Sequence, residues 1–199
     1  MLIIISPEED SKDEINKLHQ LFEAGLTCYH LRKPYKNFVQ YCDYLNRIDK
    51  KYYHKIVMHH FHELMNDYDL KGIHFSEKKR KYFFKRQTIY LGQLKTKDKT
   101  ISSSFHELAD IENCPFKFDY HFLSPVFTSI SKNGYAGRRF DVNLIDKKVI
   151  GLGGVTQENL YECKRLGYHG VAVLGTIWTN ETPADVFEII KNEWEALSK

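Results

Sequence analysis

Short β-prone runs alternate with stretches of helical spacing along most of this chain. The runs are Leu2 to Ile5, Cys28 to Leu31, Ile56 to Met58, Gly72 to Phe75, Thr100 to Ser103, Tyr120 to Leu123, Val149 to Leu152 and Val171 to Leu174. After the first run, Ser6-Pro7-Glu8-Glu9 has the form of a capping box with proline at the first helical position, and Ser11-Lys12-Asp13-Glu14 offers a second start. Ile15, Leu18, Leu21 and Phe22 then recur at helical spacing, and Gly25 makes a C-cap. Further helices are expected over Tyr35 to Arg47, Glu63 to Asp67, the basic stretch after Ser76, Phe105 to Glu112, Thr156 to Leu166 and Thr182 to Leu197. Ile89-Tyr90-Leu91 reads as either a strand or a loop.

Helices placed between strands force the strands to pair in parallel. Eight such units predict a compact (β/α)8 TIM barrel, an α/β fold, as a single domain over residues 1–199. An open doubly wound sheet is the alternative, and the lack of G-x-G-x-x-G after the first run weighs against it. With 199 residues against the roughly 250 usual for such barrels, the loops and helices must be short.

Composition narrows the class. Hydrophobic residues make up 42% and charged residues 28%, as in ordinary water-soluble proteins. A net charge of +3, with no Lys/Arg stripe interleaved with aromatics, gives no reason to expect nucleic acid. No apolar stretch approaches the roughly 18 residues of a membrane span, and Met1 to Ile5 lacks the basic flank and length of a signal peptide. The protein is therefore read as cytoplasmic, without membrane contact. Cys28, Cys42, Cys114 and Cys163 form no C-x-x-C pair and lie in or beside apolar runs, which predicts buried, reduced thiols.

Candidate chemistry concentrates near the C-terminus. In Val149-Ile150-Gly151-Leu152-Gly153-Gly154-Val155-Thr156 a strand ends in adjacent glycines and a helix opens with Thr156 as N-cap. Glycines there let backbone N–H groups approach an anion, and a helix N-terminus adds partial positive charge. Gly170-Val171-Ala172-Val173-Leu174-Gly175-Thr176 repeats the design. One glycine pair alone would be explained by a tight turn. Two in successive units, after strands seven and eight, point to phosphate.

These residues and others upstream resemble the thiamine phosphate synthase/TenI family over nearly the whole chain. The resemblance rests on His30-Leu31-Arg32-Lys33-Pro34, Gly72-Ile73-His74-Phe75-Ser76, Ser104-Phe105-His106, the loop Ser124 to Lys132 with Gly137 downstream, Gly153-Gly154-Val155 and Gly170 to Val173. It implies a phosphorylated thiazole as small-molecule partner, and it allows a homodimer. It also implies His106 and Lys132 as catalytic residues. The phosphate or substrate contacts would be Gly153, Gly154, Leu174, Gly175, Ser129, Ser131, Ser104, Arg32, His30, His59 and Gly137.

The departures separate two activities within the family. The synthase pattern joins a pyrimidine diphosphate to the thiazole phosphate with magnesium on two aspartates. Here the Asn-Asp pair reads His59-His60, the second aspartate reads Lys79, and Asp69 is out of place to substitute. Gln and Lys of the strand-two motif read His30 and Pro34. Magnesium prefers oxygen ligands, so no cofactor is expected, and Mg2+ would be needed only for a synthase. The resemblance then favours a TenI-like thiazole tautomerase with His106 as proton shuttle, since imidazole gives and takes protons near neutrality. Thiamine phosphate synthase activity is one alternative, and a catalytically inactive phosphate-binding regulator is another.

His30, His59, His60, His74 and His106 fall at or past the ends of strands two to five. Convergence of several would suit a transition metal. Alternation along each strand is expected to scatter them instead, and no metal ligand is assigned. Lys78 to Lys81 is read as a solvated helical face.

Overall fold

The computed structural model describes residues 1–83, 98–128 and 136–198, including the backbone but not the side chain of Phe83. Eight parallel strands close in sequence order into a barrel: β1 Leu2–Ile5, β2 Tyr29–Leu31, β3 Ile56–Met58, β4 Gly72–Phe75, β5 Thr100–Phe105, β6 Tyr120–Leu123, β7 Val149–Leu152 and β8 Gly170–Val173. The seam is made by Leu2, Ile3 and Ile4 opposite Val171, Ala172 and Val173. Ile89-Tyr90-Leu91 lies outside the described residues.

Strand alternation divides the apolar side chains into two cores. Ile3, Ile5, Cys28, Val57, Tyr120, Phe122, Ile150 and Ala172 fill the barrel. The alternate set, including Ile4, Tyr29, Leu31, Met58, Ile73, Phe75 and Phe105, packs against the surrounding helices. Most positions on both faces of the strands are buried, so most runs are rich in apolar residues, and β5 with its serines at 102 to 104 is the exception.

The helical layer comprises α1 Glu14–Glu23, α2 Phe38–Asn46, α3 Glu77–Phe83, α4 Leu108–Glu112, α5 Leu160–Arg165, α6 Gly175–Trp178 and α7 Pro183–Ala196 among the described residues. Several lie inside the expected spans. The first helix takes the second of its two starts, where the Ser11 N–H donates to the Glu14 carboxylate at 3.1 Å. Ser6 is instead buried, and its hydroxyl donates to the Arg32 carbonyl (2.9 Å) and accepts from the Arg32 N–H (2.8 Å), tying β1 to β2. The second helix begins at Phe38 rather than Tyr35 because Asn37 and Gln40 form a reciprocal capping box. The expected Glu63–Asp67 helix is a 3-10 segment, His62–Asn66. Phe105 belongs to β5, so the following helix waits until Leu108. The span after Thr156 divides into a 3-10 turn, Gln157–Asn159, and α5. Gly25 does close α1, at φ +100°.

Two further expectations are corrected. All four cysteines are free, but only Cys28 and Cys163 are buried; Cys42 and Cys114 are half-buried. The Lys78 to Lys81 face is only partly solvated. Lys79 is half-buried and Arg80 is buried over the Phe105 ring at 3.8 Å, because α3 lies against β5. No helix among the described residues is long and apolar enough to cross a membrane.

Beside β2, the Lys33 ammonium is fully buried. It donates to the Glu14 carboxylate at 2.7 Å and the Glu9 carbonyl at 2.8 Å, and Asp10 stands at 3.3 Å. The Tyr44 hydroxyl donates to the other Glu14 oxygen at 2.6 Å. A buried charge is tolerated only when it is paired and hydrogen-bonded, and here both partners are.

Candidate active site

Parallel strands bring all their C-terminal ends to one mouth of the barrel. After β7 the chain turns through Gly153 (φ +97°) and Gly154 (φ +65°), conformations that favour glycine. A Cβ on Gly154 would also lie 2.6 Å from the Thr128 carbonyl oxygen. That close approach is held by the β6 loop, where Val126 N–H donates to the Leu152 carbonyl and Phe127 N–H to the Gly153 carbonyl, both at 3.0 Å.

The turn after β8 stands alongside, since the Thr176 hydroxyl donates to the Val155 carbonyl at 2.7 Å. The N–H groups of Gly153, Gly154 and Gly175 donate to no backbone carbonyl among the described residues. Gly153, Gly154, Leu174 and Gly175 all retain partial solvent access. A side chain on Gly175 would meet nothing within 4 Å, so protein packing does not demand glycine there. Together the turns present free donors around open space, a suitable cradle for an anion. The supporting helices are short: α6 has four residues and α5 begins only after a 3-10 turn. An anion bound here would be attracted mostly by the amides themselves.

On β5, Ser102 and Ser104 share the inward face, and alternation puts His106 just past the strand on the same side. The His106 Nδ1 lies 2.9 Å from the Ser124 carbonyl. A carbonyl can only accept, so Nδ1 carries the proton, and in the neutral ring Nε2 holds the lone pair. Nε2 is 3.7 Å from a Glu77 carboxylate oxygen and the ring is about half exposed. Arg138 steadies the loop by donating to the His106 carbonyl at 2.9 Å and gripping Glu107 at 2.5 and 2.8 Å.

Below lies a polar tier inside the barrel. His30 Nδ1 is 2.9 Å from His59 Nε2, and His30 Nε2 is 2.7 Å from the Tyr120 hydroxyl. His74 is held through Nδ1 to the Ser102 hydroxyl (2.8 Å) and through Nε2 to the Ser104 hydroxyl (2.7 Å). The His59 and His74 rings stack at 4.2 Å. Burial holds His30 down to about 3 and keeps His59 and His74 well below the usual imidazole range, so all three are neutral. The expected scatter is thus corrected: three imidazoles converge, because β2, β3 and β4 are adjacent and the register aligns them. His60 does turn away, toward Tyr41.

The other assigned residues divide. Arg32 stands at the end of β2, paired to Glu8 at 2.5 Å. His30 is fully buried, and His59 retains slight exposure toward the mouth. At Gly137 a Cβ would fall 2.4 Å from the Phe127 Cα, so close backbone packing already requires that glycine. Ser129, Ser131 and Lys132 lie outside the described residues. Glu77 and Tyr120 were not singled out as site residues; an acid directly after strand four was the available signal for Glu77.

A magnesium ion does not fit the residues present. At the positions that would supply carboxylates stand His60 and Lys79, and the Lys79 ammonium donates to the His59 carbonyl at 3.1 Å. An imidazole and a cation offer no hard oxygen donors. Asp69 precedes β4, at the opposite end of the barrel, and is paired to Lys99 at 2.6 Å.

Fold and mouth together define a closed parallel-barrel protein whose C-terminal rim carries two glycine turns and a half-exposed imidazole. The family model described as thiamine monophosphate synthase matches residues 1–177, and the chain belongs to that family, TMP-TENI. A thiamine-phosphate synthase of Lactococcus lactis is 22% identical over 193 residues, covering 89% of this chain and 84% of its own. One from Actinobacillus succinogenes is 24% identical, covering 86% and 82%. Among solved structures, the thiamine phosphate pyrophosphorylase of Bacteroides thetaiotaomicron superposes with a TM-score of 0.76 at 26% identity, covering 98% and 97% of the two chains. That of Pyrococcus furiosus gives 0.79 at 15% identity, covering 100% and 96%.

Proposed function

We propose that this protein binds a thiazole phosphate and isomerises it, moving a proton through His106. The observation that carries the reading is the hydrogen bond from His106 Nδ1 to the Ser124 carbonyl. It fixes the tautomer whose Nε2 accepts a proton, and the Glu77 carboxylate stands where the resulting imidazolium is stabilised. His106 takes a proton from one position of the ring system and returns it at another, with no net change in charge or oxidation state. The Gly153-Gly154 and Gly175 amides hold the phosphate, and Lys132 adds positive charge to the bound anion.

Thiamine phosphate synthesis is the second reading, favoured by the names of the relatives. One assay separates the two. The protein is incubated with the thiazole phosphate tautomer alone, and then with pyrimidine diphosphate and thiazole phosphate with Mg2+ or with EDTA. Isomerisation that survives EDTA is expected; magnesium-dependent thiamine phosphate formation would overturn the proposal. Tight binding without turnover would instead favour a regulator.

The anion cradle has its own test. Gly154→Val forces a branched side chain into a positive-φ position against the Thr128 carbonyl. The thiazole phosphate affinity should fall roughly 10-fold or more, the equivalent of losing about one good charge-assisted hydrogen bond. Unchanged binding by titration calorimetry would place the phosphate elsewhere.

A further inference from the structure

We propose that His30, His59 and His74 form a binding site for one divalent transition-metal ion of the zinc or cobalt type, in the barrel beneath the mouth. One nitrogen from each ring lies within 4.8 Å of the others. The three residues come from adjacent strands. Tyr29–Ile56, His30–Val57 and Leu31–Met58 are paired across β2 and β3, and Met58 is paired with Ile73 across β3 and β4. One step beyond that last pair stand His59 and His74, both on the inward face, with His30 beside Val57 one step below. Register alone therefore gathers the rings.

The donor set selects the ion. Three imidazoles and no carboxylate suit zinc, cobalt, nickel, copper or iron rather than magnesium or calcium. Ligation needs neutral rings, and burial keeps these neutral. The surrounding hydroxyls occupy the places where metal-binding histidines are normally oriented by an outer partner: Tyr120 on His30 Nε2, and Ser102 on His74 Nδ1. With those contacts kept, His30 Nδ1 and His74 Nε2 are the atoms left to coordinate, together with His59 Nε2. The ion would replace the His30–His59 hydrogen bond and the His74–Ser104 contact, and one ring would shift its proton to the other nitrogen. Zinc–nitrogen bonds of about 2.0 Å put tetrahedral ligands roughly 3.3 Å apart, so the rings, each with a nitrogen within 4.8 Å of the others, must draw together around the ion.

Nearby positive charge opposes a cation, with Lys71 acting on His30, and Arg32 and Lys79 on His74. Arg32 is paired to Glu8, and Glu63 acts on Lys79 from nearby. Three protein ligands also leave coordination positions for water. This site does not depend on the thiazole reading, because none of the three histidines is asked to move the substrate proton.

The test uses the whole chain without an affinity tag, stripped with chelator and dialysed against ZnCl2 or CoCl2. One zinc per chain, and the intense visible bands of four- or five-coordinate cobalt, are expected. His59→Asn should weaken zinc binding roughly 10-fold or more, while His60→Asn, whose ring points outside the barrel, should not. Failure of the wild-type chain to take up stoichiometric metal would sink the proposal, as would equal uptake by His59→Asn. Should His59→Asn not fold, long-range proton–nitrogen spectra of the wild-type imidazoles decide. Zinc must shift the ring nitrogens of His30, His59 and His74, and shifts confined to other histidines would overturn the site.

Discussion

His106→Gln is expected to lower the turnover number for thiazole phosphate isomerisation by roughly 10² to 10⁴, the usual contribution of a positioned general acid–base group. Glutamine keeps much of the size and one hydrogen-bond donor toward the Ser124 carbonyl, but it cannot accept and return a proton. KM should change little, because in the proposed binding mode the phosphate is held by amides in the turns after β7 and β8, not by this ring. A rise in KM at unchanged kcat would make His106 a binding group. Activity surviving at wild-type level would place the proton transfer on another residue. Glu77→Gln supplies the companion measurement. It removes the carboxylate 3.7 Å from Nε2 while leaving a neutral side chain of equal size, so a smaller loss is expected in kcat with no change in affinity.

The second large effect is on stability. Lys33→Ala leaves the Glu14 carboxylate buried without its cation and empties the space filled by the lysine stem. Removing one partner from a buried ion pair costs about 3–5 kcal/mol, a large share of the ~5–15 kcal/mol that holds an ordinary domain together. Urea unfolding should show the midpoint falling sharply at unchanged slope. The double variant Lys33→Met with Glu14→Leu should recover much of the loss, because no charge is then left unpaired. A single-variant loss below about 1 kcal/mol would mean that this pair behaves like a surface contact.

How far the chain could be read in advance follows from what each feature depends on. The eight strands were legible because their β-prone runs are separated by helical spacing, and the Gly153-Gly154 and Gly175 turns were legible as glycines ending two successive runs. Helix ends were less so. Ser6-Pro7-Glu8-Glu9 has helix-start chemistry, yet the Ser6 hydroxyl is taken by the Arg32 backbone, a partner 26 residues away. The inward set of histidines was hidden for a related reason. Strands buried on both faces show no polar alternation to mark which side is inside, so the parity of His30, His59 and His74 emerges only once register is known. Lys33 and Glu14 look like ordinary surface charges, and only tertiary packing makes them a buried pair. Glu77 is one acid among many until the end of β4 is brought beside the loop after β5.

The grip of Arg138 on Glu107 and on the His106 carbonyl carries a consequence for how this mouth can vary. The ring proposed to move the proton is positioned through its own backbone carbonyl, by a residue from the loop after the neighbouring strand β6. Loops from separate βα units therefore share one mechanical frame, and drift in one is felt as misalignment in another. Selection on the chemistry would constrain such a side chain as tightly as the imidazole it aims.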